Sequence, residues 1–265
     1  MIYALASILM PYFGPARLLQ SYAVLIVIAL YAGYELTVKL MPRCYGFLPR
    51  DRGREFSVTP EASLGKPTGG GMVFVTIFVL TMILVAPLRP LHLGILALTW
   101  LTMLTGFLDD RSPVSWGEYR KGLIDLVISL GASLFIAYYL SRRPGGIRFW
   151  LPFLSKSVSV PAAVFTAVST VIIWASINTT NCTDGVDGLS GALVLIALIT
   201  MGAIFYFILG HVDIAAYLLV PHLADGAVWG LMSFSLAGIL MGYLWHNAYP
   251  SSVLMGDAGS RALGF

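Results

Sequence analysis

Asp109 and Asp110 stand side by side at the end of an apolar run, in GFLDDR. Paired carboxylates suit a magnesium ion, a general base, or both. Magnesium takes oxygen ligands, keeps several waters, and binds through one or two carboxylates plus substrate phosphates. The pair could equally cap a helix end in interfacial water. A second polar stretch, NTTNCTDGVDGLSG, runs from Asn178 to Gly191. Asn178 and Asn181 are three apart, as are Asp184 and Asp187, so a helix through them would set each pair on one face. Gly185, Gly188 and Gly191 share the spacing and leave a strip bare of side chains, open to a packed helix or to a ligand at the backbone. Gly256 and Asp257 begin a third group, preceded by Asn247, Tyr249 and Pro250. A lone Asp at a helix start reads first as a cap. The fourth stretch, GKPTGGG at 65–71, supplies Lys66, Thr68 and flexible backbone. Glycine-rich turns can turn N–H groups toward phosphate, although the P-loop order is missing. Arg50, Arg52 and Arg54 make this loop basic, which suits a diphosphate or anionic lipid headgroups.

These residues need a frame, and composition dictates its kind. The chain of 265 residues is 58% apolar and 11% charged, with mean hydropathy +0.83. Soluble domains are nearer 45–50% apolar and about 25% charged. The apolar runs are continuous rather than alternating, which predicts an all-α, polytopic helix bundle and not a β-barrel. Seven spans are expected, at about 18–41, 69–87, 91–108, 122–140, 160–178, 189–209 and 227–246. An eighth helix begins near Ala258, and the ten residues to Phe265 are too few to cross a bilayer. All spans should pack as a single membrane-embedded domain over 1–265. Net charge is only +3, so nucleic acid is not an expected partner. Cys44 and Cys182 are far apart and show no zinc-ligand spacing.

Alternation of seven spans puts 42–68, 109–121, 179–188 and 247–257 on one face. That face and its flanks carry ten of the sixteen Lys and Arg residues, against six on the other. The positive-inside rule makes it cytoplasmic. All four polar stretches then fall on this face, as one composite site between the bilayer and water. Elsewhere, Glu35 inside the first span should be paired or snorkelling. His92, His211 and His222 read as structural, and His246 as a possible donor to a ligand. A transporter is the alternative from another class, but transporters hold their binding acids near the midplane.

GKPTGGG, GFLDD, NTTNCTDGVDGL and LWHNAYPSSVLMGDAGSRALGF, in this order, resemble the phospho-N-acetylmuramoyl-pentapeptide transferases of the polyprenyl-phosphate N-acetylhexosamine-1-phosphate transferase superfamily. NAYPSSVLMGDAGS favours this branch over the N-acetylglucosamine branch. The resemblance implies transfer of a phospho-sugar-pentapeptide from its UDP donor to undecaprenyl phosphate, with magnesium, yielding UMP and lipid I for peptidoglycan. It implies a bacterial plasma-membrane enzyme and leaves room for a homodimer. Asp109 and Asp110 would be catalytic, with Asp257 the metal-holding acid and Asp109 and Asp110 beside it. Asn178, Asn181, Asp184, Gly185 and Asp187 would line the site, with Lys66, Thr68, Asn247 and Lys121 binding substrate. The sequence departs from the family pattern at Ser63, with Lys66 offset from it, and at Leu254, where an aromatic is usual. Arg120 or Lys121 stands in for the lysine beyond the acid pair. The family continues past the position of Phe265 with further spans and a histidine-bearing loop, so an inactive truncation is a further alternative, with Asp257 on a short terminal helix expected to be held too loosely for magnesium catalysis.

Overall fold

The computed structural model describes residues 1–51, 53, 64–151 and 157–265; Arg52, Arg54, Ser63 and Lys156 lie outside them. Ile2–Leu9 (α1) and a 3₁₀ segment, Gly14–Gln20, precede the first long helix. Pro15 sits at the start of that 3₁₀ turn, so the first span begins at Tyr22 rather than at residue 18. The long helices are Tyr22–Cys44 (α2), Gly71–Val85 (α3), Pro90–Arg111 (α4), Glu118–Ser141 (α5) and Ala162–Thr183 (α6). Leu189–Ala203 (α7) continues as a π-turn, Ile204–Leu209; Val212–Tyr217 (α8), Gly226–Asn247 (α9) and Gly256–Gly264 (α10) follow. Arg148–Phe149 (β1) and Val158–Ser159 (β2) form a small antiparallel hairpin.

Every predicted span is a helix. Six are long and apolar enough to cross a membrane, and α3 is shorter, at 15 residues. It starts at Gly71 because Gly69 is left-handed (φ +76°), and the free amides of Gly70 and Gly71 go to the Leu254 and Met255 carbonyls. Its end comes at Ala86, which precedes Pro87 and is extended (ψ 148°), as the proline ring demands of its neighbour. The chain is thus an all-helical multi-pass membrane protein.

Helix α9 is the axis, with Ala237, Ile239, Leu240 and Tyr243 buried along it. It meets α2 almost backbone to backbone. A Cβ on Gly238 would stand 2.4 Å from the Leu30 carbonyl oxygen, and one on Gly242 would stand 2.7 Å from that of Tyr34. Lipid gives helices no hydrophobic reason to associate, so small residues that allow close van der Waals contact do this work. Helices α6 and α7 are peripheral: only 11% and 6% of their apolar stretches are buried within the described residues. At one end of the bundle Arg89 and Arg143 pair with the buried Asp225, and His92 accepts the Arg89 amide through Nδ1 and packs edge-on against Trp229. His92 is fully buried in this contact. Glu35 is paired with Lys39 one turn later, at 2.6 Å.

The polar stretches gather at the opposite end. Helix α10 is the element that organises them, packed among α3, α4 and α6. Three glycines let it in. Added Cβ atoms would lie 2.1 Å from Gly259 N at Gly71, 2.3 Å from Asp257 O at Gly106, and 2.6 Å from Ile177 Cα at Gly264. The expectation of a loosely held terminal helix is therefore corrected: most of α10 is buried, including Ala258, Gly259, Ser260, Arg261 and Ala262.

Candidate active site

Helix α4 ends with the acid pair, and the two acids do different things. Asp109 is buried, accepts the Trp116 amide on Oδ1 at 2.7 Å, and meets the Lys121 ammonium with Oδ2 at 2.6 Å. Asp110 points at the start of α10 and accepts the Asp257 and Ala258 amides, both at 3.0 Å. These are orphan donors of a helix N-terminus, where a carboxylate is favoured by hydrogen bonding and by the helix dipole. Gly69 and Gly256 leave room for it. A Cβ on Gly256, whose φ is +69°, would lie 2.5 Å from Asp110 Oδ2.

The cap of α10 is thus Asp110, not Asp257. This corrects the first reading of Asp257 and frees its carboxylate. Asp257 Oδ2 lies 2.8 Å from Lys121 Nζ, so one ammonium bridges Asp109 and Asp257. Side-chain exposure is 3% for Asp109, but 20% for Lys121 and 21% for Asp257. The cluster therefore opens to solvent through Lys121 and Asp257, with Asp109 behind them. Burial raises the Asp257 carboxyl above the ordinary carboxylate range, against the pull of Lys121.

A second cluster lies along the same seam. Lys66 Nζ is 3.0 Å from Ser251 Oγ and 3.9 Å from Asp187 Oδ2, and the Ser251 amide reaches Asp187 at 3.4 Å. Asn247 braces this corner: Oδ1 accepts the Gly188 amide at 3.0 Å, and Nδ2 donates to the Val253 carbonyl at 2.9 Å. The two clusters are joined by backbone. Leu254 donates to Pro67, Gly70 donates to Leu254, and Gly71 donates to Met255, so residues 67–71 run beside 254–255 like a short ladder. Thr68 is buried within it, its amide donating to Pro49. From Lys66 to Gly69, beside Asp110, is three residues, or at most about 10 Å of extended chain.

The Asn178–Gly191 stretch is not one helix. Helix α6 ends at Thr183, Asp184 takes its C-cap, and 185–188 turn before α7 begins at Leu189. Asp184 and Asp187 therefore do not share a helical face. Gly188 makes the turn with φ +77°, and Gly191 packs on Leu244. Gly185 is exposed on the turn. Asn181 accepts from Ser260 Oγ at 2.7 Å and so joins the site through α10. Asn178 donates to the Trp174 carbonyl of its own helix. His246 is directed elsewhere than to a ligand, with Nε2 3.1 Å from the Val38 carbonyl oxygen.

Sequence reasoning missed Ser251, Ser260 and the buried pair of Arg261 with Asp125. The serines carry no signal by type. Asp125 did carry one, because an acid inside an apolar span needs a partner. Among the described residues no three His, Cys, Asp or Glu side chains form a metal shell. Two carboxylates nevertheless converge on one cation, the Lys121 ammonium, from 2.6 and 2.8 Å. That is a donor set magnesium can use when phosphate oxygens complete it.

Residues 92–265 match the family described as glycosyl transferase family 4. The chain is 58% identical over 260 residues to the phospho-N-acetylmuramoyl-pentapeptide-transferase of Treponema pallidum strain Nichols, covering 98% of this chain and 71% of that protein. It is 31% identical to the one from Campylobacter curvus, over 88% of this chain and 69% of the relative. Against the one from Gemmatimonas aurantiaca it is 34% identical, over 78% of this chain and 59% of the relative.

Proposed function

This chain belongs to the phospho-N-acetylmuramoyl-pentapeptide-transferase family, and on that premise we propose that it moves phospho-N-acetylmuramoyl-pentapeptide from UDP to undecaprenyl phosphate at the cytoplasmic face of the bacterial inner membrane. It is a membrane transferase of peptidoglycan synthesis, so the transporter alternative is set aside. The observation that carries the finer reading is the convergence of two of the four polar stretches on Lys121, Asp109 and Asp257, with Lys66 and Asp187 from the other two one short ladder away.

In this reading an oxygen of the lipid phosphate attacks the sugar-linked phosphorus of the donor, the phosphoanhydride bond breaks, and UMP leaves. Such chemistry needs positioning and charge neutralisation more than covalent help. Lys66, half-buried at the seam, takes the donor diphosphate, and Asp187 with its turn at 184–188 takes the uridine end. Lys121 turns from the two acids toward the phosphate that carries the developing charge. Asp109, freed of Lys121, accepts the proton of the lipid phosphate. Asp257 and Asp109 would hold magnesium, which when bound supplies a further positive charge to the diphosphate. Asp110 holds the start of α10, and so the height of Asp257, while Asn247 and Asn181 brace the walls around it.

The test is release of UMP from UDP-N-acetylmuramoyl-pentapeptide by the purified protein, expressed from its own gene, with a polyprenyl phosphate and magnesium. Release that requires all three supports the reading. Release of none, or equal release from UDP-N-acetylglucosamine, rejects it.

A further inference from the structure

Two helices that share the candidate site are joined by a second ion pair that no chemistry described above uses. Arg261 on α10 is fully buried, and Asp125 on α5 is 2% exposed. Arg261 Nε donates to Asp125 Oδ1 at 3.0 Å, and Nη2 donates to the same oxygen. The remaining guanidinium nitrogen, Nη1, is buried with no hydrogen-bond partner among the described residues. A charge so enclosed and incompletely satisfied is an expensive way to hold helices together. Well-packed apolar side chains of similar volume commonly do as well or better. Stability alone does not account for it.

Its placement does. Asp125 lies four residues after Lys121 on α5, and Arg261 lies four residues after Asp257 on α10. Residues four apart share a helix face. Lys121 meets Asp257, and one turn on, Asp125 meets Arg261. Helix α5 thus presents plus then minus, and α10 presents minus then plus. The pattern admits one register. Slipping α10 by a turn in either direction sets Lys121 against Arg261, or Asp125 against Asp257, like charge on like in a low-dielectric interior. Buried polar pairs have their best-attested role in fixing register in this manner.

We propose that Arg261 and Asp125 are positioning residues: a buried lock that ties α10, packed among α3, α4 and α6, across to α5 and so delivers the Asp257 carboxylate to Lys121. The inference rests on the reading of Asp257 and Lys121 as working groups of the transfer site. It predicts that the lock matters to the site more than to the fold.

The experiment compares the wild type with the doubly apolar Asp125→Leu/Arg261→Leu protein, the exchanged Asp125→Arg/Arg261→Asp protein, and Arg261→Lys. Three quantities are read: thermal unfolding, amide hydrogen exchange at Asp257 and Ala258, and UMP release with its magnesium dependence. The doubly apolar protein should unfold near the wild-type temperature. Its Asp257 and Ala258 amides should exchange at least about tenfold faster as α10 loses its fixed register. Its kcat should fall on the order of 10²-fold, the scale expected of an ångström's misplacement, with half-maximal magnesium moved upward. Arg261→Lys, which keeps the charge, should recover part of both. If the doubly apolar protein matches the wild type in exchange, turnover and magnesium dependence, the lock is not a positioning device. If it does not fold, the exchanged and Lys proteins decide by the same readouts. Altered exchange in a protein whose wild type releases no UMP would support the lock while rejecting the proposed reaction.

Discussion

The acids of the site differ in role because they differ in what they touch. Asp109 is enclosed by the Trp116 amide and Lys121 and Asp110 by two helix amides, while Asp257, of these three, keeps a partly open carboxylate. Asp257→Asn should therefore lower magnesium-dependent UMP release by about 10²-fold or more, while unfolding stays near the wild-type temperature. Retention of wild-type turnover would remove Asp257 from the site. The pH dependence follows from the raised carboxyl of Asp257, whose main cause is burial. A folded-state value above the unfolded one means the folded chain holds this proton more tightly. Its contribution to stability is present at low pH and is lost as pH rises from the ordinary Asp range, near 4, through the folded value. Proton and magnesium compete for the same oxygens, so magnesium affinity should rise with pH across that window, and titration of the ion at several pH values checks it. Lys66→Ala should raise KM for the nucleotide donor by about tenfold with less change in kcat, as loss of a phosphate contact made in both ground and transition states does. Residue types made Asp109, Asp257 and Lys66 legible in the sequence. They could not show that Asp110 rather than Asp257 caps the last helix, because capping depends on which helix end comes near, and that contact spans 147 positions.

At the scale of elements, hydropathy gave the spans to within a few residues, since burying twenty apolar residues in lipid leaves little choice. It failed where loops compete with helices. The span expected to end near 178 runs on to Thr183, and Asp184 and Asp187, which a helix would have set on one face, lie on a turn where Gly188 is left-handed and gives its amide to Asn247. The short α3 begins late because Gly69 before it is left-handed, at φ +76°. Close packing of α10 was likewise invisible, since a glycine announces freedom in sequence and contact only in space. Gly106→Val tests that contact. Its added Cβ would meet Asp257 O at 2.3 Å, which forces α4 and α10 apart. Overpacking of this kind commonly costs about 1–3 kcal/mol, so a clear drop in unfolding temperature with loss of activity is expected. An unchanged unfolding curve would show that α10 can shift without penalty.

For the molecule as a whole, the alternation of spans made the strongest statement available before any coordinates, that four distant loops share a face. The bundle agrees: Lys66, Asp109, Lys121, Asp187 and Asp257 gather at one end, and Arg89, Arg143 and Asp225 at the other. Which end meets the cytoplasm can be tested through Cys182, which is exposed at the site end beside Asn181, and Cys44, which is half-buried. A membrane-impermeant thiol reagent should label Cys182 in inverted membrane vesicles and spare it in intact spheroplasts; the opposite pattern would reverse the orientation. The ladder between 67–71 and 254–255 also sets a timetable. Lys66 and Asp109 are synthesised, and their helices inserted, long before residue 254 exists to pair with them. Until then the glycine-lined slot among α3, α4 and α6 has no occupant. The nascent protein carries this slot empty while the intervening helices emerge, so a chain cut just after Asn247 would hold the described spans and no working site.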